Sequence, residues 1–380
     1  LPQPGEASAA PFHDIVSASG RTLADQEKVE PGPMERPAIR PAPSLLSPYL
    51  NGESYRALYL SEGKRFPERA VVYSPDLIAE VKRYGRAGGA IAAETSFDII
   101  HAHDWMTVPA ALNARRISGK PLILHIHSLE YDRSGESVNP EILAIEREGL
   151  DRADRIIAVS HRTRRMIEEL YRIDPGKIAV VYNAVTRAEA DRIYHADRRG
   201  MPREDKMVLY LGRITFQKGP DYFVEAAALV LKALPEARFV MAGAGDMMRQ
   251  MIELVGARGI GNRFHFTGFL QGEEIERIFS LSDLYVMPSV SEPFGISPLE
   301  AMLYDVPVII SRQSGVAEIL KHALKVDFWD VRDMAGKIIA VLKYPVLAGE
   351  MTQKAQEELR KIRWETAAER ITEIYRQATA

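Results

Sequence analysis

The sequence predicts an α/β protein with two doubly wound, Rossmann-like domains, each built on a parallel sheet. Apolar runs of strand length alternate with segments of helical periodicity over most of the chain. Continuous β-branched runs separated by helices are typical of parallel strands that are buried on both faces. A polar stretch from Thr186 to Lys206 interrupts the alternation once, and 380 residues suffice for two domains of about 150 residues each.

The first array of elements follows an irregular segment. Residues 1–60 are rich in proline, which disfavours helix interiors and central strands, and only Asp14–Ser17 has the pattern of a short strand. A helix is predicted over residues 75–94, because apolar residues recur there at helical spacing. The next predicted strands are Ile99–His101, Leu122–Ile126, Ile156–Val159 and Ile178–Tyr182, and the helices between them are Val108–Arg116, Pro140–Leu150 and Thr163–Tyr171.

The second array repeats the same alternation after the polar stretch. Its predicted strands are Val208–Leu211, Phe239–Ala242, Phe264–Phe266, Leu284–Met287 and Val306–Ile310, and its helices are Pro220–Leu234, Met247–Arg258, Glu273–Leu281, Pro298–Leu303 and Val331–Leu342. We therefore predict one domain over residues 61–190 and a second over residues 191–362. Residues 363–380 have the periodicity of an amphipathic helix, which we expect to pack back on the first domain.

The composition excludes several classes of chemistry. The chain has no cysteine, so it has no disulfide, no cysteine nucleophile and no cysteine-based metal centre. A net charge of −3 disfavours a dedicated nucleic-acid-binding protein. No apolar run reaches the roughly 18 residues that a membrane-spanning helix needs, and the first residues lack a signal-peptide pattern. We expect a cytoplasmic protein.

The richest candidate site follows the predicted strand Leu284–Met287. Glu292 lies in this loop at the carboxyl end of a strand, where ligands of doubly wound sheets bind. Gly295 would let a ligand approach backbone amides, and the helix start after it offers amides to a phosphate. For Glu300 there is an alternative: Ser297 suits an N-cap with Pro298 as first helical residue, so Glu300 would complete a capping box.

A second candidate site lies between the first strand and the first helix of the second array. Arg213 and Lys218 stand there in a loop flanked by Gly212 and Gly219. An arginine fork and a lysine point charge suit a diphosphate, although the spacing is not that of a P-loop. The alternative is a solvated pair of loop cations.

Two His-x-His runs form a third candidate site. His101 and His103 make up the first run, and His125 and His127 the second. Alternate residues of a strand face the same side, so each run could present two imidazoles, either as metal ligands or as polar residues that line a cleft. No acidic cluster completes a metal-ligand set, and we predict no bound metal.

Two further features carry weaker signals. Residues 242–246 form a glycine-rich turn, but Met248 replaces the third glycine of the dinucleotide-binding fingerprint. A basic stretch is typical of a solvated helix face, and its arginines are Arg152, Arg155, Arg162, Arg164 and Arg165.

These motifs together resemble a known family. The segment Val208–Ile310, with Gly-Arg-x4-Lys-Gly followed by Glu-x7-Glu from Glu292 to Glu300, resembles the donor domain of retaining glycosyltransferases with the GT-B fold. That family, glycosyltransferase family 4-like, contains glycogen synthases and sucrose-phosphate synthases. The run Phe97–Trp105 looks like the acceptor-domain motif of the glycogen-synthase branch, and the likeness covers roughly residues 70–380.

The resemblance implies transfer of a sugar from a nucleotide sugar, in a cleft between the domains, with retained anomeric configuration and without a metal or other cofactor. It assigns catalytic roles to Glu292, Arg213, Lys218 and His127. It places Asp104 and His103 on the acceptor side. The donor contacts that it implies are Gly212, Phe294, Gly295, Ile296, Ser297, Leu299, Glu300, Phe269 and Leu270.

The family opens with a strand and a glycine-rich loop that have no convincing counterpart in residues 1–60. We predict a glucosyl transferase that uses ADP-glucose or UDP-glucose and an α-glucan acceptor. One alternative is a catalytically impaired nucleotide-sugar or glycan-binding relative, which the missing loop motivates. The other is a metal-dependent hydrolase built on the His-x-His runs.

Overall fold

A computed structural model describes residues 44, 46, 55, 56, 58–60, 76–186 and 205–379. These residues belong to two compact units. The first contains the described residues up to Ala102 together with Met106–Ile123 and Thr379, and the second contains His103–Trp105 and Leu124–Ala378. The predicted strand Asp14–Ser17, the predicted absence of the family's first strand and loop, and most of the polar stretch lie outside the described residues.

A four-stranded sheet carries the first array in the order β1-β2-β3-β4. Its strands are β1 (Ile100–His103), β2 (Leu122–Ile126), β3 (Arg155–Ala158) and β4 (Ile178–Val180). The strongly apolar runs make these strands, as predicted, and β3 pairs with β4 in parallel. The helices of this array are α1 (Leu77–Ala93), α2 (Asp104–Ser118), α3 (Glu130–Ser134), α4 (Pro140–Arg152) and α5 (His161–Tyr171).

In the first unit, helix α1 packs closely on α2. Asp76 caps α1 by accepting a hydrogen bond from the Ala79 amide. A side chain at Gly88 would place its Cβ 2.7 Å from the Cβ of Ala110, so the glycine is needed for this packing. Gly88 and Gly89 both lie inside helix α1.

A six-stranded parallel sheet carries the second array in the order β10-β9-β8-β5-β6-β7. Sequence-adjacent strands run outward from β5 in one direction and from β8 in the other, so the topological switch point lies between β5 and β8. The strands are β5 (Met207–Leu211), β6 (Arg238–Ala242), β7 (Phe264–Gly268), β8 (Leu284–Met287), β9 (Val308–Ser311) and β10 (Leu324–Val326). The helices are α6 (Pro220–Ala233), α7 (Met248–Ala257), α8 (Glu273–Leu281), α9 (Ser297–Leu303), α10 (Val331–Lys343), α11 (Pro345–Leu359) and α12 (Trp364–Thr379).

The core covers both faces of this sheet. Along β5, Val208 and Tyr210 belong to one buried cluster, and Met207 and Leu209 belong to another. This double burial explains why the strand is a continuous apolar run instead of an alternating one. The two predicted arrays of α/β elements and their parallel sheets are confirmed.

Among the described residues, one strand and two helices of the arrays were absent from the sequence prediction, and residues 55, 56 and 58–60 are helical although residues 1–60 were predicted to be irregular. Strand β10 has three residues and helix α3 has five, which is too short for a clear periodicity. Helix α11 begins at Pro345, directly after α10, because proline is favoured at the first helical position. Among the described residues, no helix combines the length and apolar character required to cross a membrane.

Candidate active site

Two loops meet at the carboxyl ends of β5 and β8, on either side of the switch point. The loop after β5 contains a short 3₁₀ helix, Phe216–Lys218, and the loop after β8 begins at Pro288. The carbonyl oxygen of the buried Gln217 accepts hydrogen bonds from the amides of Val290 (3.0 Å) and Ser291 (3.3 Å). The two motifs that the sequence singled out are therefore joined by backbone hydrogen bonds.

Lys218 and Glu292 form an ion pair across these loops. Lys218 Nζ lies 2.5 Å from Glu292 Oε2, and Ser289 Oγ donates to the same oxygen at 3.2 Å. Glu292 is 6% exposed, so these partners replace most of the water around its carboxylate. Among the described residues, none donates a hydrogen bond to Glu292 Oε1. This oxygen could therefore accept a hydrogen bond from a ligand hydroxyl.

Arg213 lies in the same loop as Lys218. One guanidinium nitrogen, Nη2, donates to Gln217 Oε1 at 2.9 Å, and the Tyr210 hydroxyl donates to the Arg213 carbonyl at 2.7 Å. Within the described chain, the hydroxyl of Thr215 is buried without a hydrogen-bond partner. The loop thus carries two cations and one unsatisfied hydroxyl within residues 213–218.

Glycines allow the backbones around this loop to approach each other. Gly219 has φ +61°, and a Cβ there would lie 2.3 Å from the carbonyl oxygen of Pro288. A Cβ at Gly243 would lie 1.9 Å from the carbonyl oxygen of Gly212. The glycine-rich turn after β6 therefore supports the Arg213 loop, in agreement with its poor match to a dinucleotide site.

Helix α9 begins differently from the predicted capping box. Ser297 is its first helical residue, Ile296 occupies the N-cap position, and no side chain caps the helix. The Ser297 hydroxyl instead accepts a hydrogen bond from the buried Tyr285 hydroxyl at 3.0 Å. The capping-box alternative for Ser297 and Glu300 is therefore not observed, because Ser297 lies inside the helix and Ile296 occupies the N-cap position.

The remaining predicted donor residues have different surroundings. Gly295 has φ +99°, and a Cβ there would lie 3.1 Å from Glu292 Cγ, so this glycine leaves room for Glu292. Phe294 and Leu299 are buried in the core, which leaves only their backbones to meet a ligand. Glu300 lies in the first turn of α9. After the edge strand β7, Phe269 is 73% exposed and Leu270 is half-buried.

His127 follows β2 and is held by two neighbours. Its Nε2 lies 2.9 Å from His103 Nδ1, and its amide donates to Asp104 Oδ1 at 2.7 Å. Burial lowers the pKa of His127 to about 4, so the imidazole is neutral at pH 7. Burial raises the pKa of Asp104 to about 6, against the effect of the His127 amide. The rings of His103, His125 and His127 lie with centroids 4.3–5.2 Å apart.

Three polar residues that the sequence interpretation missed connect the two arrays. Ser291 Oγ donates to Asp132 Oδ1 at 2.6 Å, and Arg162 Nη2 donates to Ser291 Oγ at 2.7 Å. Asp132 is 1% exposed, and burial raises the pKa of its carboxyl. Because Ser291 precedes Glu292, these bonds fix the position of the Glu292 loop. The position of Asp132 just after strand β2 was the available sequence signal.

A buried ionic cluster supports the loop after β2. Arg133 donates from Nη1 to the Ser128 carbonyl at 3.0 Å and from Nη2 to Glu146 Oε1 at 2.7 Å. The Tyr171 hydroxyl also donates to Glu146. Burial raises the pKa of Glu146, although Arg133 opposes the shift.

Two Rossmann-like arrays on parallel sheets make up the fold, and the second sheet carries two cations and a carboxylate in the loops at its topological switch point. A model described as glycosyl transferases group 1 matches residues 192–360, and a model of glycosyltransferase family 4 matches residues 42–189. The two matches together cover both arrays. Each of the two arrays therefore resembles a glycosyltransferase family, residues 42–189 family 4 and residues 192–360 group 1.

Curated relatives carry glycosyltransferase names. An uncharacterized glycosyltransferase of Methanocaldococcus jannaschii is 33% identical over 236 residues, which is 60% of this chain and 60% of that protein. A D-inositol 3-phosphate glycosyltransferase of a Nocardioides species is 27% identical over 311 residues, which is 75% of this chain and 68% of the relative.

Solved structures have the same fold. Sucrose-phosphate synthase of Thermosynechococcus elongatus superposes with a TM-score of 0.70 at 23% identity, over 79% of this chain and 78% of that one. HepE of Anabaena in complex with UDP superposes with a TM-score of 0.66 at 20% identity, over 77% of this chain and 82% of that one. At these identities the likeness establishes the GT-B fold.

Proposed function

We propose that this protein transfers a sugar from a nucleoside diphosphate sugar to an acceptor hydroxyl, with retention and without a metal ion. The observation that carries the proposal is the Lys218–Glu292 pair, which lies beside Arg213 at the switch point of the second sheet. Two fixed cations suit a diphosphate, and the carboxylate beside them suits a sugar hydroxyl.

The cations act on the leaving group. As the bond between the sugar C1 and the phosphate oxygen breaks, negative charge grows on the diphosphate, and Arg213 and Lys218 stabilise it. The acceptor oxygen forms its bond to C1 on the same face, and its proton passes to the departing phosphate oxygen. In this scheme the two side chains supply the positive charge that a metal ion supplies elsewhere.

The other residues position the donor. Glu292 Oε1 accepts a sugar hydroxyl, while Lys218 and Ser289 hold Oε2. The neutral His127 presents Nδ1 to the sugar, because its Nε2 lies against His103. Glu300 takes the ribose hydroxyls, the backbone at Phe269 and Leu270 takes the base, and the backbone of residues 294–299 takes phosphate and sugar.

For the donor and acceptor we propose a glucosyl group from UDP-glucose or ADP-glucose and an α-glucan. The run His101–Trp105, with Asp104 and His103 on the acceptor side, supports the α-glucan. A phosphorylated cyclitol is the second candidate acceptor. It is favoured by the relatives named D-inositol 3-phosphate glycosyltransferase, one of which aligns with 75% of this chain.

A transfer assay tests the proposal. Purified protein is incubated with a panel of nucleotide sugars and either maltooligosaccharides or inositol 3-phosphate, and nucleoside diphosphate release and product are measured. We expect product that retains the donor's anomeric configuration and a large loss of turnover in Glu292→Ala and Lys218→Ala. Undiminished activity in both variants would contradict the assigned roles, and diphosphate binding without turnover would favour the impaired relative.

Metal removal tests the absence of a metal in the same assay. After dialysis against a chelator, we expect kcat to stay within about twofold of the untreated value, because the positive charge at the leaving group comes from side chains. Transfer activity that disappears and returns with added Zn²⁺ or Mn²⁺ would contradict the metal-independent mechanism, and metal-dependent diphosphate release without transfer product would favour the hydrolase built on the His-x-His runs.

A further inference from the structure

A polar cavity lies outside the residues assigned to sugar transfer. Its volume is about 360 Å³, and it is formed by residues of β3, β4, α5 and α12 with the turn before β4. This volume is within the range of small-molecule sites, which begins at roughly 300 Å³. None of its lining residues belongs to the candidate active site.

The lining of this basic cavity is strongly cationic. No aspartate or glutamate among the described residues lines the cavity. Four arginine or lysine residues do: Arg155, Arg164, Lys177 and Arg370. His161, the polar Gln377 and the apolar Ile374 also line the wall. Cations gathered around one space raise the local positive potential and attract anions.

Most of these charges have no carboxylate partner among the described residues. Arg164 pairs with Glu168 at 2.6 Å. Arg155 donates to the Asp154 carbonyl at 3.1 Å and Lys177 to the Asp151 carbonyl at 3.2 Å, and a carbonyl oxygen carries no net charge. In the described part of the chain, Arg155, Lys177 and Arg370 take part in no ion pair.

The arginines of the basic stretch, which the sequence interpretation treated as a solvated helix face, have different surroundings, and only some of them line the cavity. Arg152 pairs with Glu148 in solvent, and Arg162 bonds Ser291 at the candidate active site. Arg155 and Arg164 enter the cavity instead, together with Arg370 from helix α12, more than 200 positions away in sequence. A solvated face alone does not bring distant cations together.

We propose that this cavity binds a phosphate-bearing anion. Arginine forks and a lysine ammonium are the side chains that phosphate oxygens prefer, and three uncompensated cations match a phosphate or diphosphate group. The phosphate belongs either to a small soluble molecule or to an anionic lipid headgroup.

Equilibrium dialysis with inorganic pyrophosphate tests the soluble source. The variant pair Lys177→Gln/Arg370→Gln removes two lining cations, and Arg152→Gln/Arg249→Gln removes two exposed cations elsewhere as a charge-matched control. We expect the first variant to bind one pyrophosphate fewer than the control, or to bind it about 100-fold more weakly. This difference is expected whether or not the Arg213 loop also binds pyrophosphate.

Cosedimentation with vesicles tests the lipid source. Phosphatidylglycerol vesicles are compared with phosphatidylcholine vesicles for wild type and the same two variants. Binding to phosphatidylglycerol that only Lys177→Gln/Arg370→Gln loses would assign the phosphate to a headgroup. The proposal is overturned if the two variants bind both pyrophosphate and vesicles alike.

Discussion

Glu292 is a buried carboxylate, and its negative charge is paired with the positive charge of one lysine. Lys218 Nζ is its only cationic partner among the described residues, and the two side chains are 21% and 8% exposed. Removing one member of such a pair leaves an uncompensated charge in a poorly solvated place, whereas removing both charges does not.

Single and double variants of this ion pair therefore distinguish its effect on stability from its effect on turnover. We predict that Lys218→Gln lowers the free energy of unfolding by about 3 kcal/mol, and that adding Glu292→Gln restores most of it. Urea unfolding measures both values. Turnover should remain low in the double variant, because the cation at the leaving group is still missing. Equal stability losses in the single and double variants would contradict the pairing.

Asp104 couples the stability of the protein to pH. Its pKa rises from an ordinary 3.8 to about 6, mainly through burial, so between these values the native state binds more protons than the unfolded state. Stability from this group is therefore greatest at low pH and falls as the pH rises through 6. His127 has the opposite sign, because burial lowers its pKa to about 4.

We predict that Asp104→Asn removes the Asp104 contribution to the pH dependence and leaves that of His127. Asparagine can still accept the His127 and Ser128 amides and tolerates the positive φ of residue 104. Relative to wild type, the variant should gain stability by up to about 3 kcal/mol between pH 4 and pH 7. Unfolding titrations at several pH values measure the difference, with the exposed Asp98→Asn as control. A constant difference across this range would contradict the assignment.

At the scale of elements, one close backbone contact joins the two site loops. Gly219 has φ +61°, and its Cα faces the carbonyl oxygen of Pro288. The contact sets the distance between the Arg213 loop and the loop that carries Glu292, so a side chain at residue 219 must separate them.

We predict that Gly219→Ala destabilises the protein by more than about 2 kcal/mol, because a Cβ would lie 2.3 Å from that oxygen. Gly336→Ala in helix α10 is the matched control, since nothing lies within 4 Å of its Cβ position. The free energy of unfolding of the control variant should rise by up to about 1 kcal/mol. Thermal unfolding of both variants gives the comparison, and equal midpoints would show that the loop contact is unimportant.

Elements with strong local signals could be predicted from sequence. Strands Leu122–Ile126 and Leu284–Met287 and helix Glu273–Leu281 have the predicted bounds, because dense apolar runs or strict amphipathic periodicity define them. Helix α3 and strand β10 could not be predicted. Tertiary hydrogen bonds hold these short segments, and local sequence does not encode those bonds.

At the scale of the molecule, helix α5 connects the two arrays. The Glu318 carboxylate accepts the amides of His161 (2.9 Å) and Arg162 (2.7 Å) at the first turn of α5. It also accepts the Tyr182 hydroxyl at 3.1 Å. A carboxylate at a helix N-terminus satisfies amides that lack partners within the helix and is favoured by the helix dipole.

Replacing Glu318 by alanine should loosen this connection. We predict at least tenfold faster amide hydrogen exchange at His161 and Arg162, because both amides lose their acceptor. Mass spectrometry of peptides from α5 measures the rate. Glu253→Ala removes an exposed carboxylate from α7 and should leave α5 unchanged. Unchanged exchange in Glu318→Ala would contradict the bridging role.

Such long-range contacts mark the limit of sequence interpretation. Arg213, Lys218 and Glu292 could be found because each stands in a local motif at the end of a strand. Asp132 and Ser291 are 159 positions apart, and no local sequence pattern around either residue predicts contact with the other. Only the folded chain brings them together.

The central claim is that Arg213 and Lys218 hold the donor diphosphate, and calorimetric binding of UDP and ADP tests it most directly. The proteins to compare are wild type, Arg213→Gln, the stability-matched Lys218→Gln/Glu292→Gln pair, and Arg249→Gln as an exposed control. We predict that the nucleotide that wild type prefers binds at least about tenfold more weakly to both site variants, and equally well to the control. Wild-type affinity in both site variants would contradict the claim.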